Sequence, residues 1–409
     1  MPTDTNGNGT TKPQGADVPT RLGWVSFFND CSSETLARAL PLFLVTSLGL
    51  TPTAVGAIEG IAEAVGIALR AFSGWLSDRM VSRKPLVILG YFFSFLSRVL
   101  LLFISVPLLF GATRVFDRVG KGLRSAPRDA MVADAMALGT AGRAFGIVRF
   151  LDTLGAVTGL GMALAFGLGR GPLTSEGFRS LVWLSLPFGL VSLLLLCFWV
   201  PRLPRVVRAK KYLSFTAPKG TRLYLAIVLL FSLGASSDAF LVLRARELGF
   251  DLFETFGLFL GLNVLAAALA IPFGKLSDRF GRIPVLVSGW LIYAASYALF
   301  AVCEEQWAFA SAMALYGAFY GLTEGVEKAF LSDLVEPDER GRGFGAFHLV
   351  LGIAAFPSSL LTGWLMTRFG SGAAFLACAG LAVLASIILL ACSPLLLTAL
   401  RGRTHARLP

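Results

Sequence analysis

Charge is what this chain has least of. Asp, Glu, Lys and Arg make up only 15% of its 409 residues, against about 25% in an average soluble chain. That shortage argues against a sizeable soluble domain. Histidine occurs twice and cysteine five times. The cysteines (Cys31, Cys197, Cys303, Cys378, Cys392) are odd in number, scattered and without C-x-x-C spacing. They read as small core residues, not as a disulfide or metal frame. No metal-ligand cluster stands out, and no metal or other cofactor is expected. No nucleophile–base pair appears either. Gly120-Lys121-Gly122 is no phosphate loop, because G-x-x-x-x-G-K-[ST] is absent. An enzyme is therefore not expected. Residues 1–20 are rich in Thr, Gly, Asn and Pro but lack an apolar core. They read as a disordered cytoplasmic tail, not a signal peptide.

What the chain has instead is apolar sequence, at 55% hydrophobic. It falls into repeated runs of about 20 residues, enough to cross about 30 Å of hydrocarbon. Twelve spans are expected, at about 21–47, 53–76, 85–106, 107–134, 141–169, 178–200, 222–246, 253–274, 284–303, 307–334, 341–369 and 372–397. Residues 21–200 would form one six-helix bundle and 222–397 a second, followed by a tail at 398–409. The fold class expected is an all-α polytopic membrane protein of twelve transmembrane helices in two pseudo-symmetric bundles.

The formal charge of +11 does not call for nucleic acid, because much of it sits in short loops. The linker 201–221 carries Arg202, Arg205, Arg208, Lys210, Lys211 and Lys219. Arg79, Arg83 and Lys84 follow span 2, Arg279 and Arg282 follow span 8, and Arg401, Arg403 and Arg407 lie at the C-terminus. Alternating spans put all of these on one side, which the positive-inside rule makes cytoplasmic. Both termini are then inside, in a bacterial inner membrane.

The halves repeat. Gly74-Trp75-Leu76-Ser77-Asp78-Arg79 returns as Gly274-Lys275-Leu276-Ser277-Asp278-Arg279, 200 residues later. Gly142-Arg143-Ala144-Phe145-Gly146 returns as Gly341-Arg342-Gly343-Phe344-Gly345, 199 later, and Asp134 and Asp333 keep that offset. Two bundles related by an axis along the membrane normal follow, with a path between them.

One stretch departs from the apolar background. Arg114, Asp117, Arg118, Lys121, Arg124, Arg128 and Asp129 share one helix face about 140° wide at roughly 100° per residue. Against lipid, each would cost roughly 2.5–3.5 kcal/mol. Seven would cost on the order of 20 kcal/mol, above the roughly 5–15 kcal/mol net stability of a domain. The face must turn to a bundle interior or a hydrated path, with its charges paired. Further intramembrane charges are Asp30, Glu34 and Arg38 in span 1, Glu59, Glu63 and Arg70 in span 2, and Arg98 in span 3. Arg149 and Asp152 lie in span 5, Asp238 in span 7, and Glu324, Glu327 and Lys328 in span 10. His348 in span 11 takes the place of Arg149 in the repeat. Either this constellation is a proton and substrate path, or it is a paired network that only fixes helix packing. Phe27, Phe28, Phe92, Phe93, Phe95, Tyr293, Tyr297, Tyr316 and Tyr320 read mainly as packing residues, with a pocket for an amphipathic solute as the other reading.

The two Gly74 and Gly274 loops resemble the signature G-x-L-[SA]-D-[RK]-x-G-[RK] of the major facilitator superfamily of secondary transporters. Gly274 to Arg282 matches it well. In the first copy Val81 and Ser82 stand where Gly and a basic residue are usual, with Arg83 and Lys84 following. Arg114 falls where the family's buried span-4 arginine sits. The resemblance covers almost the whole chain after residue 20. It implies that the loops latch the bundles on the cytoplasmic side. Asp134 would then meet Arg79 or Arg83, and Asp333 would meet Arg279 or Arg282. Gly155 and Gly159 permit close helix contact, but Leu160 replaces the proline of the family's export motif.

The expected function is a secondary active transporter with alternating access, monomeric and in contact with membrane lipid. It would be proton-coupled through candidates Asp30, Glu34, Glu59 and Glu63, with Arg114 and Arg118 as switch partners. The lean is toward export of a small, anionic or metal-complexed compound or drug. The alternatives are a proton-coupled importer of a metabolite or organic anion, and a non-transporting sensor or scaffold.

Overall fold

The computed structural model describes residues 17–37, 40, 52–103, 107–136, 140–166, 174–203, 218–236 and 238–405. Every element among them is helical. The first half holds α1 (Val18–Ala37), α2 (Pro52–Ser77), α3 (Lys84–Leu101), α4 (Pro107–Asp134), α5 (Ala141–Ala165) and α6 (Ser175–Phe198). The second holds α7 (Lys219–Gly234), α8 (Asp238–Glu247), α9 (Leu252–Phe280), α10 (Arg282–Val302), α11 (Gln306–Leu334), α12 (Arg340–Ala391) and α13 (Ser393–His405). Six helical stretches are long and apolar enough to cross a membrane. α4 is not one of them, because it carries too many charged residues.

The halves repeat in packing as in sequence. α1 packs on α5 and α2 on α4; correspondingly α7 packs on α12 and α9 on α11. Glycine permits the tight approach. A Cβ on Gly159 would stand 2.5 Å from the Cys31 carbonyl oxygen, so α5 lies backbone to backbone on α1. The second half has an aromatic core. Phe231 stacks on Trp290 with centroids 4.4 Å apart, and Tyr293, Tyr297 and Tyr316 are buried beside them. Those tyrosines are packing residues. Tyr320 reaches the central cavity.

Two expected boundaries move, at spans 7 and 12. The seventh span is two helices, α7 and α8, not one run over 222–246. Its break frees two carbonyls, and side chains take them up. Tyr293 Oη donates to Gly234 O at 2.8 Å, and Ser358 Oγ donates to Ala235 O at 2.9 Å, which keeps both carbonyls satisfied at depth. Spans 11 and 12 meet within α12 at the place expected, between 369 and 372. They are kinked at Gly370, whose φ of 87° lies where only glycine is at ease. The last span stops at Ala391, and helix α13 covers much of the stretch expected to be a tail. Most of the tail at 1–20 and of the linker at 201–221 lies outside the described residues.

Candidate functional site

The two halves meet at one end through reciprocal latches. Asp78, at the end of α2, accepts hydrogen bonds from the backbone N–H groups of Gly341 (2.9 Å) and Arg342 (2.8 Å), where α12 begins. Asp278, on α9, accepts from Gly142 N (2.9 Å) and Arg143 N (2.8 Å), where α5 begins. Each half thus lends a carboxylate to a helix N-terminus of the other, where free N–H groups and the helix dipole favour an anion. Both carboxylates are held by an arginine of their own half. Arg83 contacts Asp78 at 2.9 Å and Asp134 at 3.0 Å, and Arg282 contacts Asp278 at 2.5 Å and Asp333 at 3.0 Å. Arg340 adds a contact across the halves, 3.2 Å from Asp134. Burial pushes the Asp78 carboxyl above its usual range, with Arg83 and the two amides pulling the other way. Full pairing is what offsets the desolvation cost.

Gly74 and Gly274 let the backbones close on each other. A Cβ on Gly274 would stand 2.5 Å from Gly142 O, and one on Gly74 would collide with Gly341 O. Of the residues the loop signature suggested, Arg79 and Arg279 do not join the latches. Arg79 lies over the Trp75 ring at 4.0 Å and Arg279 over Phe280 at 5.4 Å.

Beyond the latches the halves diverge. α5 and α9 touch at Gly146 and Ala270. Further along, Asp152, Thr153 and Ala156 on α5, and Phe259, Leu262 and Asn263 on α9, line a cavity of about 730 Å³. Asp30, Glu34, Arg70, Arg114, Asp117, Arg118, Lys121, Arg124, Arg149, Asp238, Glu324 and His348 all line it, as do Arg98, Arg128 and Lys328. Among the described lining residues, nine are Lys or Arg and six are Asp or Glu, so the space favours negative charge.

Two clusters cross between the halves at the cavity wall. Arg149 lies 2.7 Å from Glu324. Asp129, its side chain 1% exposed, lies 3.2 Å from Lys328, 3.0 Å from His348 and 3.5 Å from Arg128. Glu324 and Lys328 are four residues apart on α11 and face the same way. Glu327 is turned about 60° off Glu324. It accepts from the buried Trp290 Nε1 at 3.0 Å and is not among the cavity-lining residues. Glu59 and Glu63 lie on α2, but their side chains lie outside the described residues.

Three cavity cations have no ion-pair partner among the described residues. Arg98 donates from Nη2 to Asn29 Oδ1 at 2.9 Å. Arg124 bonds the Ser94 hydroxyl and lies over the Tyr91 ring at 4.7 Å. Lys121 opens into the cavity. Asp30 and Glu34, on α1, likewise face the cavity without an ion pair among the described residues. Asn29, Asp129, Arg128 and Arg98 were not among the residues the sequence put forward as site candidates. Arg128 and Asp129 were visible on the charged face of α4, and Arg98 as the lone charge of α3.

Comparison with known proteins follows the same lines. The Major Facilitator Superfamily matches residues 22–265 and 223–407. An uncharacterized MFS-type transporter of Methanocaldococcus jannaschii is 34% identical over 382 residues, covering 90% of this chain and 93% of that one. The crystal structure of the human organic anion transporter MFSD10 (TETRAN) superposes with a TM-score of 0.79 at 15% identity, covering 92% of this chain and all of that one. The E. coli fucose:proton symporter FucP superposes with a TM-score of 0.76 at 16% identity, covering 91% of this chain and 97% of that one. These two likenesses concern the fold.

Proposed function

Because the chain belongs to the Major Facilitator Superfamily of transporters, we propose that it is a proton-coupled carrier of a small organic anion, working by alternating access. The observation that carries this reading is the cavity between the halves, where Arg98, Lys121 and Arg124 line the open space without an ion-pair partner among the described residues. Unpaired cations in a low-dielectric cleft attract an anion far more strongly than they would in water. Asp30 and Glu34, which face the cavity without an ion pair among the described residues, supply the carboxyl groups for proton loading. The fold shared with a human organic anion transporter supports the cargo class, and the fold shared with a proton symporter supports the coupling.

The closed latches and the open cavity beyond them correspond to one end state of the rocking cycle. The basic loops on the latch side make that side cytoplasmic, so this state faces outward. One chain completes the cavity, and the carrier works as a monomer.

Purified protein in liposomes holding a pH-sensitive dye tests the reading. Organic anions added on the cavity side should move and change the internal pH. Movement confined to neutral or cationic solutes, or anion movement with no pH change, would remove the cargo class or the coupling respectively.

A further inference from the structure

Resting on the anion reading above, we infer that Asp30 and Arg98, held apart by Asn29, form a coupling pair that loads a proton and the cargo's anionic group together. The carrier is then an anion–proton symporter.

The geometry is short and its polarity is fixed. Arg98 Nη2 donates to Asn29 Oδ1 at 2.9 Å, and Asn29 Nδ2 donates to Asp30 Oδ1 at 2.9 Å. An arginine can only donate, so the Asn29 oxygen must face Arg98 and its NH₂ must face Asp30. The amide thus stands between a cation and an anion that would otherwise pair directly. Arg98 is 3% exposed overall, yet it lines the cavity and makes no ion pair among the described residues. A buried guanidinium kept off a nearby carboxylate is available to a ligand.

The charged groups facing Asp30 set the sign. Arg98 comes from α3, Arg124 and Arg128 from α4, and Asp152 from α5, while Asp117 of α4 is a further carboxylate that acts on Arg98. Asp152 is itself 3.5 Å from Arg128. α6, also packed on α1, meets it through the neutral Ser185, Phe188 and Ser192. An ionised Asp30 therefore competes with an incoming anion for the field of Arg98 and Arg124. A proton on Asp30 removes the competitor. By reciprocity the bound anion favours the proton to the same extent. The two ligands load together, which is the requirement of symport. Exchange of cargo for protons would need both to compete for one group, as a cationic cargo would compete for Asp30 and an anionic one does not. Under an inward proton gradient symport drives uptake, the reverse of the export that the sequence favoured.

The test uses the full chain in nanodiscs, with sulfate, benzenesulfonate and ethane-1,2-disulfonate as probes, whose own charge is constant across the neutral range. Dissociation constants are compared at about pH 5.5 and about pH 7.5. The expected result is that at least one probe binds about tenfold more tightly at the acid pH, with proton uptake on binding. Asp30→Asn should bind at both pH values with the acid-form affinity. Asn29→Ala lets Arg98 swing onto Asp30, so it should weaken binding several-fold at neutral pH and leave the acid value unchanged. Binding that weakens in acid, or an Asp30→Asn protein that keeps the wild-type pH dependence, overturns the coupling pair. Anion binding indifferent to pH overturns it while leaving the anion reading in place. Failure of every probe at both pH values overturns the anion reading, and this inference with it.

Discussion

Asp129 shows how much one side chain can hold together at this interface. It is almost fully enclosed, and it gathers Lys328 and His348 from the second half and Arg128 from its own. Replacing one partner of such a buried cluster leaves the others uncompensated, typically at about 3–5 kcal/mol. Asp129→Asn should therefore lower the unfolding midpoint sharply in a detergent melt. Adding Lys328→Met should restore part of the loss, and a single variant as stable as its parent would mean the cluster is solvated. A second residue-level expectation concerns proton loading. Glu63→Gln should reduce transport in vesicles more than it reduces the amount of protein in the membrane. Equal losses would assign Glu63 to folding. The charged face of α4 was legible because ionised groups at that density cannot meet lipid. Which group meets which was not legible, since Asp129 with Lys328 and Arg149 with Glu324 are pairings between bundles that only packing creates. Glu327 illustrates the limit. It shares a cluster in sequence with Glu324, yet a 60° turn sends it to Trp290.

At the scale of elements, the two signature loops reach one result by different backbones. Arg282 follows Asp278 by four residues, and the turn needs Gly281 at a φ of 94°. Arg83 follows Asp78 by five residues, and that extra residue lets the turn close with no left-handed residue in it. Both arginines still reach the same serine, aspartate and distal aspartate. Gly281→Ala should therefore cost about 1–2 kcal/mol. Val81→Ala, at a position 64% exposed, should stay within about 0.5 kcal/mol. Melts of both variants check the contrast, and equal costs would deny that the shorter turn depends on its glycine. The repeat of these loops was plain in the sequence, because Gly74 and Gly274 open nearly identical words. The break between α7 and α8 was not. No proline or glycine lies between Gly234 and Asp238, and the groups that satisfy the freed carbonyls, Tyr293 and Ser358, lie 59 and 123 residues away.

For the whole molecule, the governing quantity in the proposed cycle is the balance between latch-closed and latch-open states. Each latch contributes two hydrogen bonds from backbone N–H groups to a carboxylate of the opposite half. Bonds to a charged group are worth about 1.5–3 kcal/mol each, so one latch biases the closed state by roughly 3–6 kcal/mol and two by twice that. Arg340 bonds Asp134 of one latch and acts on Asp333 of the other, so the two losses should add with a small coupling. An equilibrium moves from 99:1 to 1:99 on a shift of about 5.5 kcal/mol. Asp78→Ala or Asp278→Ala alone should thus leave a substantial closed population, whereas the double variant should open. Spin labels at Val81→Cys and Phe280→Cys, exposed positions on opposite halves (64% and 61%), report this as a distance distribution. The single variants should retain the parent's short distance as a main peak, and the double variant should be dominated by a longer one. Because the cavity lies beyond the latches, opening that end must close the other if access alternates. The double variant should therefore also lose binding of an anion too large to pass from the latch side. A double variant with the parent's distance distribution would locate the closing force in the Asp129 and Arg149 contacts deeper in the cleft, and the latches would then serve only to orient the loops.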